Sequence, residues 1–388
     1  MSFYYRLGQV PHKRHTQFRK PDGGLYREEL MGLEGFSSIQ SVLYHHFLPP
    51  RVVSVDDMGP ANLEYVDFGP IRHRAFTTSQ APLGGDPISA RTPLLGNKDV
   101  ILSICRASKS MDFFYRNAQA YETWFVHEGK GEIKTQFGSL YFHPGDYIVI
   151  PFGTTWQMTL DSPEARFFIV ENPSQIELPK RYRNSYGQLL ENAPYSERDI
   201  RLPERLETHT EGGEFEIHIK VRERLTRHKF DHHPFDVIGW DGYLYPWIFN
   251  IEDFEPITGR VHQPPPVHQT FEGQYFVVCS FVPRLFDYHP EAIPVPYNHS
   301  NINSDEVIYY AEGNFMSRKG IDKYDISLHP FGLPHGPQPG MTEASIGRKE
   351  TNELAVMVDT FHPLELTRQA LDLEKPGYME SWLEGNGE

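Results

Sequence analysis

The sequence predicts a mainly β protein built from two related β-barrels, with few short helices. Two observations on the 388-residue chain predict this fold class. First, it contains 32 Pro and 31 Gly, 13% of its residues are aromatic, and no long stretch repeats apolar residues at a helical period; short strands between Pro and Gly turns are typical of β-sandwiches and barrels. Second, a series of hairpins occurs twice along the chain, which indicates a duplicated barrel.

The predicted elements divide the chain into four parts. We expect an N-terminal arm over residues 1–50, a first barrel over 51–171, a polar connector over 172–225, and a second barrel over 226–388 that ends in helical segments. The clearest hairpin series has a glycine in each of its turns, as the tight corners of a barrel require. Its strands are predicted at 121–126, 132–136, 139–142 and 147–150.

Composition bears on partners and compartment. The net charge of −15 argues against nucleic acid and anionic membranes, since both need a basic surface. No apolar run approaches the length of a membrane span, and the N-terminus lacks the apolar core of a signal peptide. Only Cys105 and Cys279 occur, so we expect no disulfide framework and a cytoplasmic protein.

The two hairpin series can be aligned residue by residue. Seven positions separate Glu122 from Gly129, and seven separate Glu306 from Gly313. Further on, the segment Pro151-Phe-Gly-Thr-Thr-Trp156 aligns with Pro330-Phe-Gly-Leu-Pro-His335. A duplicated unit is the simplest explanation of this agreement.

The second copy carries a candidate metal site. His299, Glu306 and His335 would bring two imidazoles and one carboxylate to one face, which is the ligand set of non-haem Fe(II) oxygenases, with Mn(II) and Zn(II) as the next choices. Asp305 is an alternative to Glu306, because a slip of one residue exchanges the two faces of a strand. The alignment with Glu122 favours Glu306.

The paired motifs resemble those of the cupin superfamily, whose jelly-roll barrels carry a His-x-His motif followed by Glu, and then Pro-x-Gly-x-x-His. His299 and Glu306 fit the first motif with one histidine replaced by Asn301, and His335 fits the second. The first copy retains only Glu122 and has Trp156 in place of the last histidine. The resemblance therefore implies a bicupin in which the first barrel is metal-free, with Trp156 packing its interior.

The C-terminal half resembles one cupin family, the homogentisate 1,2-dioxygenases. The matching features are Phe235-Asp-Val-Ile-Gly-Trp240, His262, Pro296-Tyr-Asn-His299, Ser304-Asp-Glu306 and Leu328-His329, followed by Pro334-His-Gly-Pro337. The resemblance implies Fe(II)-dependent, extradiol-type opening of homogentisate by O₂ to maleylacetoacetate, in tyrosine and phenylalanine catabolism. It carries the iron ligands onto His299, Glu306 and His335, and it implies a homo-oligomer, either a trimer or a dimer of trimers.

Other residues are candidates for proton transfer and substrate binding. The resemblance suggests His262 as the base, held by the stiff run Pro264-Pro-Pro266; His268 is the alternative. It also suggests Tyr297 and His329 as pocket residues or residues that orient a ligand. We expect His335 and Phe315 to contact a small aromatic acid, and Asn314-Phe315 replaces the His-Tyr more usual in the family.

Some alternatives remain open at this point. Arg318, Lys319 and Lys323 could bind a substrate carboxylate, although a solvated turn is the favoured interpretation of all three. The substrate could be another hydroquinone or a gentisate-like acid. The protein could also be a cupin isomerase or hydrolase that uses no O₂, or a non-catalytic metal-binding bicupin.

Overall fold

The structure, a computed structural model, describes residues 3–313, 315 and 318–383. Strands dominate this part of the chain: 27 strands form five sheets, and every helix is short. The predicted mainly β class with few short helices is confirmed. None of the described helices is long and apolar enough to cross a membrane.

The strands, in chain order, are β1 (Tyr5–Gly8), β2 (Arg27–Gly32), β3 (Gln40–His45), β4 (Ser54–Pro60), β5 (Arg74–Thr77), β6 (Arg91–Gly96), β7 (Ile101–Ala107), β8 (Phe114–Asn117), β9 (Tyr121–Glu128), β10 (Gly131–Thr135), β11 (Gly138–Phe142), β12 (Asp146–Ile150), β13 (Thr155–Leu160), β14 (Ala165–Asn172), β15 (Ile200–Arg201), β16 (Gly212–Val221), β17 (Arg224–His232), β18 (Val237–Gly242), β19 (Trp247–Asn250), β20 (Gln269–Gly273), β21 (Phe276–Phe281), β22 (Arg284–Leu285), β23 (Asp305–Glu312), β24 (Asp325–His329), β25 (Glu350–Thr351), β26 (Leu354–Thr360) and β27 (Glu365–Leu366).

The helices of the described residues are one or two turns long. The α-helices are α1 (Met341–Ser345) and α2 (Arg368–Asp372), and the 3₁₀ turns span Thr78–Gln80, Lys180–Tyr182, Glu197–Asp199, Ile251–Asp253, Pro265–His268 and Met379–Trp382. The helical segments predicted at 363–370 and 378–383 overlap α2 and the last 3₁₀ turn. Both helices are shorter than the predicted segments. In the first segment, β27 occupies the beginning, and the helix starts only after it.

The first barrel is a sandwich of two sheets. The seven-stranded sheet has the order β11-β10-β13-β8-β16-β17-β4, and the eight-stranded sheet has the order β15-β19-β12-β9-β14-β7-β6-β27. Side chains from both sheets fill the space between them, including Trp124 and Phe167 from one and Ile133, Trp156 and Met158 from the other. Trp156 is fully buried and lies edge-on to Trp124 at 5.7 Å, so the predicted packing role of Trp156 is confirmed.

The outer face of the eight-stranded sheet packs on a six-stranded sheet with the order β20-β21-β26-β23-β24-β5. Successive side chains of a strand point to opposite faces, so Phe125 faces away from its neighbours Trp124 and Val126. Phe125 and Phe168 contact Tyr309 of the six-stranded sheet, the latter in parallel stacking at 5.1 Å. One face of the six-stranded sheet is thereby buried, and its opposite face lines a cavity.

Strands cross between the two halves of the chain. β5 pairs with β24 and completes the six-stranded sheet, whereas β19 pairs with β12 in the eight-stranded sheet. The predicted connector, 172–225, contains the ten-residue strand β16, and the predicted arm forms a four-stranded sheet with β18. Proposed domain boundaries at 171 and 226 therefore do not separate two self-contained barrels.

The internal repeat is visible in strand length and register. β9 and β23 are each eight residues long, and Glu122 and Glu306 each stand second in their strand. Glu122 lies opposite Ile150 of β12, while Glu306 lies opposite His329 of β24. The two glutamates thus occupy equivalent places in two equivalent sheets.

Candidate metal centre

Two loops and one strand bring His299, Glu306 and His335 together. Glu306 projects from β23, while the histidines lie in loops that meet as an antiparallel bridge. The backbone N–H of each histidine donates to the carbonyl of the other at 2.9 Å, which holds the two rings side by side with 4.3 Å between centroids. The position of each ring is therefore fixed by backbone hydrogen bonds.

The donor atoms of these three side chains converge. Glu306 Oε2 lies 3.6 Å from His299 Nε2 and 3.4 Å from His335 Nε2, and the three donors all lie within 4.8 Å of one another. Ligand atoms roughly 2.1 Å from a shared ion stand about 3.0–3.4 Å apart. The triad is thus slightly wider than a metal-bound set and would close around an ion by small side-chain movements.

The histidine hydrogen bonds leave their Nε2 atoms available. His299 Nδ1 lies 3.3 Å from the carbonyl of Tyr297, and His335 Nδ1 lies 3.2 Å from that of Leu333; a carbonyl only accepts, so Nδ1 carries the proton and Nε2 presents its lone pair. His335 Nε2 is buried and has no hydrogen-bond partner among the described residues. A divalent transition metal would satisfy this atom.

Glu306 is held as a carboxylate. Burial alone would raise its pKa, but contacts with the imidazoles of His299, His329 and His335 keep the pKa of Glu306 well below its usual range. Its second oxygen, Oε1, contacts His329 Nδ1 at 2.7 Å, and His329 Nε2 contacts the Tyr378 hydroxyl at 3.0 Å. Burial, with the nearby Arg318 charge, lowers the pKa of His329 to about 3, so its ring is neutral.

His329 lies behind Glu306 and does not line the cavity. Its ring is fully buried and stacks on that of His335, with 4.6 Å between centroids. The sequence-based suggestion that His329 contacts substrate does not match this position. The structure places it where it orients the glutamate.

Asp305 faces the opposite way from Glu306. Its two carboxylate oxygens accept hydrogen bonds from the backbone N–H groups of Phe331 and Leu364, each at 2.7 Å. Asp305 therefore fastens two loops to the start of β23. The repeat-based register, with Glu306 turned toward both histidines, agrees with the structure.

A cavity of about 470 Å³ opens beside the triad. It is lined by several sequence-predicted residues, namely His262, His268, Tyr297, Phe315, His299 and Glu306. Phe315 is buried against Tyr310, while Tyr297 is more than half exposed at the entrance. Asn314, the other half of the predicted Asn314-Phe315 substitution, lies outside the described residues.

The two candidate bases differ in environment. His262 Nδ1 lies 3.3 Å from Asp287 Oδ2, and its ring packs edge-on to Tyr297. His268 is buried against Phe281, and burial together with the Arg284 charge lowers the pKa of His268 to about 3. A carboxylate that orients an imidazole makes it a better proton acceptor, so the arrangement favours His262.

Three further residues line the cavity: Arg318, for which the sequence favoured a solvated turn over carboxylate binding, and Asp359 and Asp287, which it did not identify. Arg318 was assigned to a solvated turn, but its guanidinium is buried 4.0 Å from Glu306 Oε1 and donates to the Gly336 carbonyl at 2.5 Å. The interpretation as a solvated turn is wrong for Arg318, because its guanidinium is buried between Glu306 and the Gly336 carbonyl. Lys319 is exposed and Lys323 pairs with Glu312 at the surface, as expected for a turn.

Asp359 is an acidic neighbour of Glu306. The two residues lie directly opposite each other on β26 and β23. Burial, with the Glu306 charge beside it, raises the pKa of Asp359 well above its usual value. No motif marks this residue in the sequence, and only the strand pairing reveals its place.

Another group of potential ligands, His209, Glu211 and His233, has a less suitable geometry. The two rings stack in parallel, with 3.8 Å between centroids and 12° between planes. An ion bound to both nitrogens would lie outside both ring planes, where the lone pairs do not point. His233 Nδ1 also already accepts from the backbone N–H of Phe235 at 3.0 Å.

The first barrel has a salt-bridge cluster at the place equivalent to the triad. Arg91 binds both oxygens of Glu122, at 2.9 and 3.0 Å. Its guanidinium also lies over the Trp124 ring at 4.6 Å, and Asn117 donates to Glu122 at 2.9 Å. A fixed guanidinium therefore takes the place that a metal would occupy.

A family model, several proteins of similar sequence and several solved structures resemble this chain. The family model described as "Homogentisate 1,2-dioxygenase N-terminal" matches residues 89–251. A protein from Saccharolobus solfataricus that is named a putative dioxygenase is 43% identical over 98% of this chain and 99% of its own length.

More distant matches extend this picture. Homogentisate 1,2-dioxygenase from Rhodopseudomonas palustris is 27% identical over 71% of this chain and 64% of its own length. Among solved structures, a variant of oxalate decarboxylase from Bacillus subtilis covers 76% of this chain and 79% of its own, with 13% identity and a TM-score of 0.36. A TM-score of this size says nothing about activity.

Proposed function

The chain belongs to the homogentisate 1,2-dioxygenase family of the cupin superfamily, and on this premise we propose that it is an Fe(II)-dependent ring-cleaving dioxygenase. The substrate we assign is homogentisate, opened by O₂ to maleylacetoacetate in tyrosine and phenylalanine catabolism. The observation that carries the proposal is a two-histidine, one-carboxylate triad, of which His299 and Glu306 line a cavity. This ligand set, with other coordination positions open, is typical of non-haem Fe(II) oxygenases.

His299, Glu306 and His335 would hold the iron. The Nε2 of His335, which has no hydrogen-bond partner in the described part of the chain, and the carboxylate of Glu306 suit a divalent cation with borderline-soft character. When bound, Fe(II) supplies Lewis acidity and a redox centre for the reaction of an electron-rich ring with O₂. His329 fixes the Glu306 carboxylate through its 2.7 Å hydrogen bond, so that the ligand oxygen stays turned toward the histidines.

His262 acts as the general base in this proposal. Asp287 contacts Nδ1, which leaves Nε2 to accept a proton from a ring hydroxyl in the cavity. The Asp287 carboxylate then stabilises the imidazolium that forms. His268, with its pKa lowered to about 3 by burial, is too weak a base for this role.

The cavity suits a small aromatic acid. Ile308, Phe315 and Met357 give it an apolar wall, and Arg318 supplies a buried positive charge close to the triad. A buried guanidinium favours an anionic ligand, and we assign it to the substrate carboxylate. Tyr297 at the entrance and His299 at the triad would bound the ring on its other sides, whereas His335, predicted as a substrate contact, does not line the cavity.

An oxygen electrode tests the proposal. Protein loaded anaerobically with Fe(II) is mixed with homogentisate (2,5-dihydroxyphenylacetate) and, in parallel, with gentisate. We expect O₂ uptake and the absorbance of a conjugated diketo acid with homogentisate, and loss of both in His335→Ala. Uptake with gentisate alone would reassign the substrate. No uptake with either ligand, by protein that retains iron, would favour a cupin that is not an oxygenase.

A further inference from the structure

The two acidic neighbours of the equivalent glutamates have different partners. In the first barrel, Glu171 of β14 lies opposite Glu122 of β9; in the second, Asp359 of β26 lies opposite Glu306 of β23. Directly opposed residues project from the same face of a sheet. Each barrel therefore points two acidic side chains at the same place, and the first barrel can serve as an internal reference for the second.

Both carboxylate oxygens of Glu171 have a cationic partner. Lys220 donates to one of its oxygens at 2.5 Å, and Arg91 lies 3.8 Å from the other. Asp359 Oδ1, by contrast, is buried without a hydrogen-bond partner among the described residues, and Asp359 lines the cavity. A buried polar atom without a partner costs free energy, and the second barrel retains one where the first does not.

Among the described residues, none of the cationic side chains that line the cavity pairs with Asp359. Arg284 pairs with Glu353 at 2.7 Å. Arg318 donates to the Gly336 carbonyl and contacts the Tyr310 hydroxyl, and His299 Nε2 faces Glu306. A ligand that binds in the cavity can therefore supply a partner for Asp359 Oδ1.

We propose that Asp359 recognises the second ring hydroxyl of the substrate. The proposal rests on the function proposed above and assigns a specificity role within the same site. Arg318 takes the carboxylate, the triad takes one hydroxyl, and Asp359, beside Glu306 on the same sheet face, hydrogen-bonds the other, with Ile308 and Met357 as the adjoining apolar wall. The ligand class is thus a dihydroxylated aromatic acid, and acids with a single hydroxyl bind less well.

Calorimetry on the metal-loaded protein tests this assignment without catalysis. Zn(II), which has no redox chemistry, is loaded into wild type, Asp359→Asn and Asp359→Leu, and binding of 2,5-dihydroxyphenylacetate and 2-hydroxyphenylacetate is measured without O₂. We expect wild type to bind the dihydroxy acid about 2–10-fold more tightly, as for a hydrogen bond between neutral groups. The ratio should fall to about one in Asp359→Leu and be intermediate in Asp359→Asn.

The monohydroxy acid reports whether each variant retains its pocket. Its Kd should be the same in wild type and Asp359→Leu, and Ile150→Val, in the first barrel, should leave both ligands unaffected. The proposal is overturned if wild type does not discriminate, if Asp359→Leu keeps the ratio, or if that variant weakens both ligands equally.

The outcome is separable from that of the proposed function. O₂ uptake by the Fe(II) protein combined with an unchanged ratio in Asp359→Leu would remove the role of Asp359 alone. Hydroxyl-specific binding without O₂ uptake would remove the dioxygenase and leave the assignment of Asp359 in place.

Discussion

The two barrels neutralise the same pair of acidic residues in different ways. In the first barrel, Glu122 and Glu171 are bound by the side chains of Arg91 and Lys220, and aromatic residues fill the surrounding interior. In the second, Glu306 faces two histidines with available nitrogens, Asp359 has an unpartnered oxygen, and a cavity replaces the filled interior. Permanent cations make a structural core, whereas the second barrel leaves the corresponding places to a metal and a ligand.

The largest expected effect separates Glu306 from its counterparts. Glu306→Gln removes the ligand charge, so we expect Fe(II) content to fall from about one ion per chain to almost none. Asp305→Asn and Glu122→Gln should retain iron, because Asp305 fastens loops and Glu122 binds Arg91. Metal analysis after anaerobic desalting measures this. Iron loss in Asp305→Asn with retention in Glu306→Gln would reverse the assigned register.

Arg91 tests whether a guanidinium replaces the metal of the first barrel. Arg91→Met leaves the buried Glu122 carboxylate without its cation, and we expect the free energy of unfolding to fall by about 3–5 kcal/mol. Urea denaturation measures the change. Adding Glu122→Gln to Arg91→Met should recover much of the loss, because it removes the unpaired charge. A loss under about 1 kcal/mol would show that the pair is not what stabilises this barrel.

His329 tests whether the difference between the barrels extends behind the glutamate. It lies opposite Glu306, where Ile150 lies opposite Glu122. His329→Gln weakens the hold on Glu306 Oε1, so Fe(II) affinity should fall about 10–100-fold. Competition with a chelator measures the affinity, and Ile150→Val is the matched control. Equal affinities in wild type and His329→Gln would mean that the β23 backbone alone orients the carboxylate.

The smallest expected effect concerns a titratable cation at the N-terminal sheet. Burial alone would lower the pKa of His45, but its contacts with Asp236 at 2.7 Å and Glu29 at 3.1 Å raise the pKa of His45 to about 9. A raised folded-state pKa gives stability that is present below about pH 6.5 and lost as pH rises through 9. We expect roughly 1–2 kcal/mol to be lost across that range.

Denaturation of wild type and His45→Gln at several pH values isolates the contribution of protonated His45 to the free energy of unfolding. The variant should be less stable at pH 6 and should approach wild type at pH 9.5. The salt bridges of the first barrel, which use Arg91 and Lys220, should make a contribution to stability that does not change with pH over the same range. A stability difference that is constant with pH would rule out the protonated His45.

Local patterns predicted much of the fold and of the triad. The turns marked by glycine located β9 to β12, and the spacing from glutamate to glycine, shared with the first copy, distinguished Glu306 from Asp305. His335 followed from the Pro-x-Gly turn before it. These features depend on residues close together in the chain, where turn chemistry and strand alternation are decisive.

Contacts between distant segments could not be predicted in the same way. Arg91 and Glu122 are 31 residues apart, and the exchange of β5 and β19 between sheets leaves no local signal. Arg318 was misassigned because a basic residue in a polar turn is usually solvated, whereas its guanidinium is buried by contacts with Glu306 and Gly336 from other segments of the chain. Asp359 has no motif, since its role follows from the strand that it faces.

The most direct measurement of the difference between the barrels is anomalous diffraction at the iron edge from crystals grown with Fe(II) under anaerobic conditions. We predict one peak per chain, bounded by His299, Glu306 and His335, and no peak near Glu122, where Arg91 is bound. A peak at Glu122, a peak at His209 and His233 in place of the triad, or no peak in crystals of iron-loaded protein would contradict the account.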